Sequence, residues 1–129
     1  MSTGYIKDGK YIQTAGMGFA GTLFPVPDWD NVIKDKFSHN AKSSPDTYTP
    51  VYTATEDCFI RVLYDLHTSM TMVCSLDGGA TIISSFLVGL LSGNYAAMYD
   101  VFPMKKGQVL SVREDAVGDI YHFWVYGVK

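Results

Sequence analysis

Apolar and polar positions alternate with a period of two through most of the second half of the chain, the pattern of β-strands whose two faces meet different surroundings. Ile60, Val62, Tyr64 and Leu66 alternate with Phe59, Arg61, Leu63 and Asp65, and Met70, Met72, Cys74 and Leu76 alternate with Thr71, Val73 and Ser75. The Thr71, Val73, Ser75 side reads as facing water. Asp77-Gly78-Gly79 is a turn from which Ala80 to Ile83 can return, and Tyr95 to Phe102 and Gln108 to Glu114 flank a second turn at Pro103-Met104-Lys105-Lys106-Gly107. A last strand, Ile120 to Val128, follows Val117-Gly118-Asp119. About six short strands at such spacing predict an antiparallel β-sandwich or barrel.

The first part of the chain reads differently. Tyr5-Ile6-Lys7 and Lys10-Tyr11-Ile12 flank Asp8-Gly9, two residues that tolerate the positive φ of a tight hairpin turn. From Met17 to Pro27 small residues and the prolines Pro25 and Pro27 predict an extended arm. Asp30 is placed to cap a short helical turn over Asn31 to Phe37. Residues 38 to 50 are rich in turn formers and nearly empty of aliphatic side chains, which predicts a loop or linker. The expected organisation is therefore all-β: an N-terminal docking arm and linker with a short hairpin over 1–45, then an antiparallel, jelly-roll-like β-sandwich over 46–129.

One stretch competes with this picture. Gly78 to Tyr99 carries no charge, and Ile82, Ile83, Phe86, Leu87, Leu90 and Leu91 fall at helical spacing. Its length could cross a bilayer, and Gly89 and Gly93 match a small-residue packing motif of membrane helices. Ser84, Ser85, Ser92 and Asn94 dilute it and no basic residue flanks it closely, so a buried strand, a turn and a further strand is the preferred reading, without membrane insertion.

Composition narrows the function classes. At 129 residues the chain suffices for one ordinary domain with a real core. A net charge of −3, with five basic and five acidic residues up to position 50 and five and eight after it, leaves no basic footprint for nucleic acid. The start Met1-Ser-Thr-Gly-Tyr-Ile-Lys7 lacks the pattern of a signal peptide, so export by the ordinary route is not expected. Cys58 and Cys74 are expected to be thiols. In a hairpin of Ile60–Leu66 with Met70–Leu76, Val62 would face Cys74 and Cys58 would stand about 13 Å off along the strand.

Candidate chemistry is sparse. His39 falls in the linker, His67 in a turn and His122 on the last strand, and no catalytic residue, metal site or cofactor is assigned. Gly16-Met-Gly-Phe-Ala-Gly21 matches a dinucleotide fingerprint literally, but Thr-Leu-Phe-Pro follows it instead of a helix. The acidic pairs Glu56-Asp57 and Glu114-Asp115 lack the ligand pattern of a calcium loop. What remains is the last strand, where Tyr121, Phe123 and Val125 alternate with His122, Trp124 and Tyr126. Both faces are bulky, so both need covering, by another part of the chain or by another subunit, and self-association is the preferred cover. The expected subunit interface is Tyr99, Val101, Phe123 and Val125, and the expected ligand-contact tips are Asp77-Gly78-Gly79 and the loop ending at Asp119.

Thr49-Pro-Val-Tyr-Thr-Ala-Thr-Glu-Asp-Cys-Phe-Ile-Arg-Val, Ser75-Leu-Asp-Gly-Gly, Val101-Phe-Pro-Met-Lys-Lys-Gly and the closing Tyr121-His-Phe-Trp-Val-Tyr-Gly-Val-Lys129 resemble small jelly-roll head domains of bacteriophage fibres and other virion appendages, loosely related to tumour-necrosis-factor-like heads. Cys58 stands where that family usually has glycine, and the long shaft that precedes such heads is not in this sequence. The resemblance implies a non-enzymatic virion protein, assembled in the host cytoplasm, for capsid decoration or as a fibre head. It also implies a homotrimer, docked on a capsid or fibre protein by its N-terminal arm, with a host-surface glycan as a further partner. A monomeric carbohydrate-binding sandwich, a small membrane protein and an enzyme are the alternatives.

Overall fold

The computed structural model describes residues 4–8, 10–13, 25–67, 71–87, 95–115 and 117–129. Ten strands are described: β1 (Gly4–Lys7), β2 (Lys10–Gln13), β3 (Pro27–Asn40), β4 (Ser43–Thr53), β5 (Cys58–Leu66), β6 (Thr71–Ser75), β7 (Ile82–Leu87), β8 (Ala96–Met104), β9 (Val109–Asp115) and β10 (Ile120–Val128). β1 and β2 form the expected hairpin with Lys7 opposite Lys10, and Asp8 takes the positive φ of 53° that its turn requires.

The other eight strands build two antiparallel sheets of four, ordered β3-β10-β5-β8 and β4-β9-β6-β7. Chain-consecutive strands such as β3 and β4, β4 and β5, β5 and β6, and β8 and β9 fall in opposite sheets. This back-and-forth winding is the jelly-roll arrangement, so the expected all-β sandwich is found. Its core lies between the sheets. Ile60, Val62, Tyr64 and Leu66 of β5, Tyr121, Phe123 and Val125 of β10, and Leu110 and Val112 of β9 are all buried there with Met72 and Cys74 of β6. Phe123 stacks on Phe37, centroids 5.2 Å apart, and Tyr64 meets Tyr121 edge-on at 5.8 Å.

Three sequence expectations are corrected. Residues 31 to 37 are not a helical turn, and residues 38 to 50 are not a linker: both lie largely in strands, β3 and β4, that pair with β10 and β9. Sheet structure thus reaches back to Pro27, into the part assigned to the arm. β3 is an edge strand with register shifts opposite Val125, Tyr126 and Gly127, and this irregularity hides its period from the sequence. Secondly, β5 and β6 make no hairpin, because β5 pairs with β10 and β8 while β6 pairs with β9 and β7. Cys58 and Cys74 are nevertheless free and buried, as thiols. Thirdly, the outward side of β6 is not wet: Val73 and Ser75 are buried.

The stretch 78–99 holds β7 and part of β8, and no helix among the described residues is long and apolar enough to cross a membrane. The Asp77 turn does form. Ser75 donates its hydroxyl to Asp77 Oδ1 at 2.8 Å, and Thr81 N–H donates to the same oxygen at 2.8 Å. Gly79 takes φ +102° with its α-carbon against the Tyr48 ring, where any Cβ would come within 2.6 Å. The glycine-rich match at 16–21, most of the predicted arm, the 68–70 connection and Gly89 to Gly93 lie outside the described residues.

Candidate functional site

Strand parity decides which of the expected interface residues can reach another molecule. Inward from β10 point Phe123 and Val125, both 0% exposed, so these two belong to the core and not to an interface. Tyr99 and Val101 on β8 point the other way and are 53% and 39% exposed. The second bulky face of β10 is real but carries different residues. His122 and Trp124 lie on the outer face of the sheet, beside Arg61 and Asp65 of β5.

On that outer face Arg61 lies against two rings. Its guanidinium carbon sits 4.3 Å from the Tyr99 centroid and 5.0 Å from that of Trp124, and the rings are 6.2 Å apart. Register explains the grouping: β5 runs between β8 and β10, with Arg61 opposite Val101 on one side and Trp124 on the other. A guanidinium among ring faces is held by the rings' negative quadrupole while its N–H groups stay available. Further along the same sheet, Asp65 Oδ1 lies 2.9 Å from His67 Nε2, and Asp65 Oδ2 lies 3.8 Å from His122 Nε2. His122 Nδ1 meets the Ser38 hydroxyl at 2.6 Å, and His67 stacks on Tyr95. Partial burial and the neighbouring Lys36 lower the His122 pKa against the opposing pull of Asp65. The outer face therefore joins apolar surface to a polar row, and neither Trp124 nor Arg61 stood among the expected site residues. Their signal is in the sequence: Arg61 and Asp65, four positions apart and so on one face, are the two charged residues of an otherwise largely apolar strand.

The expected ligand tips divide in the same way. Asp77, Gly78 and Gly79 form a turn, with Asp77 exposed and Gly78 open to solvent on its Cβ side. Hydrogen bonds from Thr81 and Ser75 hold the Asp77 carboxyl below its ordinary pKa. Asp119 is no tip residue. It is 0% exposed; its carboxylate accepts the His67 N–H at 2.6 Å and its carbonyl accepts the Ala41 N–H at 2.9 Å. It ties the ends of three strands together, whereas Val117 and Gly118 just before it are exposed.

The polar groups inside the sandwich link the two sheets. His39 Nε2 lies 2.6 Å from Glu114 Oε1, while the Thr49 hydroxyl donates to Glu114 Oε2 at 2.8 Å. Tyr64 donates to Ser84 Oγ at 2.6 Å, and Ser84 donates in turn to Asp100. Burial raises the Tyr64 pKa and pushes the thiol of Cys74 up to about 12. For Cys58, burial with the nearby Glu56 and Asp57 charges gives about 11. Neutral thiols and a neutral phenol at physiological pH are poor nucleophiles. Among the described residues, no group of three or more His, Cys, Asp or Glu could hold a metal ion. A largely apolar cavity of about 200 Å³ opens at one end of the sandwich, between Pro25, Cys58, Phe59, Pro103, Met104 and Val128.

No family model, no curated protein and no solved structure matches this chain.

Proposed function

We propose that the chain is a non-enzymatic structural module of a bacteriophage particle, a capsid-decoration or fibre-head protein that associates with copies of itself. The observation that carries the self-association is the outer face of the β3-β10-β5-β8 sheet, where Tyr99 and Val101 stand exposed beside Trp124 and Arg61. Aromatic residues and arginine grouped on one surface are the composition of interface centres. The jelly-roll topology agrees with the virion resemblance, which adds the location, the docking of the residues ahead of β3 on a capsid or fibre protein, and a homotrimer as one symmetry. Light scattering on the purified chain at micromolar concentration tests the assembly: a mass above the 14.3 kDa of one chain is expected, reduced by Tyr99→Asp, and a monomer refutes it. Antibodies raised against the chain should decorate phage particles.

A second reading, a monomeric carbohydrate-binding module, is favoured by one observation. Trp124 and Tyr99 form an aromatic surface around Arg61, with Asp65 and His122 further along the same sheet, a mixture of rings and polar groups that suits a sugar. Glycan-array binding by a monomer, lost in Trp124→Ala, would replace the first reading with this one.

A further inference from the structure

The two four-stranded sheets leave four edges, β3, β8, β4 and β7, and an edge strand invites pairing unless something blocks it. β3 is blocked by charge, with Asp28, Asp30, Lys34, Asp35 and Lys36 along it, and by its register shifts. β4 contains Pro45 and Pro50, which have no N–H to offer a neighbour. β8 carries Pro103 and the charge of Asp100. β7 reads Ile-Ile-Ser-Ser-Phe-Leu, without proline, glycine or charge. Ile83 and Leu87 of this strand are 44% and 70% exposed, while Ser84 is buried and Phe86 stacks on Tyr64. Against β6 the strand keeps a regular register from Ser84 to Leu87 and shifts once between Ser84 and Ile82, so Ser84 and Phe86 face inward, Ile83 and Leu87 stand exposed outside, and the edge is open among the described residues.

We infer that β7 pairs antiparallel with β7 of a second copy, joining two β4-β9-β6-β7 sheets into one of eight strands. The occupant is argued from charge. In a two-fold contact every residue near the axis meets the same stretch of its copy, so a strip of one charge sign repels itself and a neutral strip does not. Two chains of net charge −3 can approach favourably where the strip is neutral, and β7 is that strip. The other edges of a second copy carry the blocking devices just named, which leaves β7 as its matching partner. With Ser85 on the axis, Ile83 of each copy faces Leu87 of the other on the outer surface. The inference rests on the reading that the chain self-associates, and it names a two-fold where the resemblance implies three copies.

The test uses the full chain in three forms: unaltered, Ile83→Lys with Leu87→Lys, and Ser85→Cys. The lysine variant places charge on an exposed face, and circular dichroism confirms that it folds. The unaltered chain is expected to have the mass of two copies, or an even multiple, and the lysine variant half that mass. Ser85→Cys is expected to form an intermolecular disulfide under mild oxidation, which the buried Cys58 and Cys74 do not complicate, while a Lys36→Cys control on β3 stays unlinked. A trimer, or an assembly that survives the lysine substitutions with no link at position 85, overturns the β7 pairing and leaves self-association standing. A monomeric unaltered chain overturns both.

Discussion

Two adjacent residues of β10 offer a direct test of which face of that strand is inside. Phe123 is fully buried and stacks between Phe37 at 5.2 Å and Tyr121 at 6.1 Å, in the middle of the inter-sheet core. Truncation to alanine removes the buried ring and leaves a cavity that rigid strands cannot close, a loss of about 3–5 kcal/mol. Trp124, one position on, is partly exposed on the outer face of the sheet, where its ring meets Arg61 and Tyr99. A cation–π contact at an exposed site contributes about 0.5–1 kcal/mol, so Trp124→Ala is expected to cost about 1–1.5 kcal/mol despite deleting the larger side chain. For a chain of this size each kcal/mol moves the melting temperature by roughly 3–5 °C, which separates the variants by roughly 10 °C. Urea denaturation of both at equal m-values gives the same comparison through the midpoints. Equal losses, or a larger loss for Trp124→Ala, would refute the assignment of Phe123 to the core and return it to an interface.

Three further outcomes follow from local chemistry. Cys58 and Cys74, buried and with thiol pKa values pushed up to about 11 and about 12, should ignore a disulfide reagent in the native protein at mildly alkaline pH and both react once it is unfolded; prompt native labelling contradicts their placement. Because His122 is held below its ordinary pKa of 6.5, the unfolded chain takes up that proton first, so its contribution to stability is present above 6.5 and is lost as pH falls through the folded pKa. Denaturation midpoints measured from about pH 7 down to about pH 5 should then fall less steeply for His122→Gln than for the unaltered chain, and parallel curves would show that His122 does not titrate this way. Gly78→Ala, at φ +73° in open space, should cost about 1–2 kcal/mol, whereas Gly79→Ala adds a 2.6 Å approach to the Tyr48 ring and should melt lower still; equal melting temperatures would mean that the ring moves aside freely.

Most of the sandwich was legible because its strands keep a period of two. The period of two bounds β10 as the structure does, and it separates the β5 residues into two sets, of which Ile60, Val62, Tyr64 and Leu66 prove to be the buried one. β3 and β4 were not legible, for two physical reasons. Asp28, Asp30, Asn31, Lys34 and Asp35 have low strand propensity, and pairing with β10 overrides it. The prolines of β4 look like linker residues until an edge position accommodates them. The candidate surface was half legible. Of the four expected interface residues, Tyr99 and Val101 lie exposed and Phe123 and Val125 are buried, because parity alone does not say which side of β10 faces inward. Arg61 acquires its role only when register sets it between rings from two other strands. Asp119 looked like a loop tip and proved buried, because a backbone N–H from 52 positions away closes on it.

The place of β10 between β3 and β5 has a consequence for how the protein is made. Residues 120 to 128 fill the slot between strands drawn from 27–40 and 58–66, so that sheet stays split until synthesis reaches its final strand. Such distant pairings fold slowly, and meanwhile the facing edges of β3 and β5 lie open on the nascent chain. A ribosome that stalls before residue 120 would therefore leave a product with an unsealed seam through its core, a substrate for chaperones and proteases and not a smaller version of the same module.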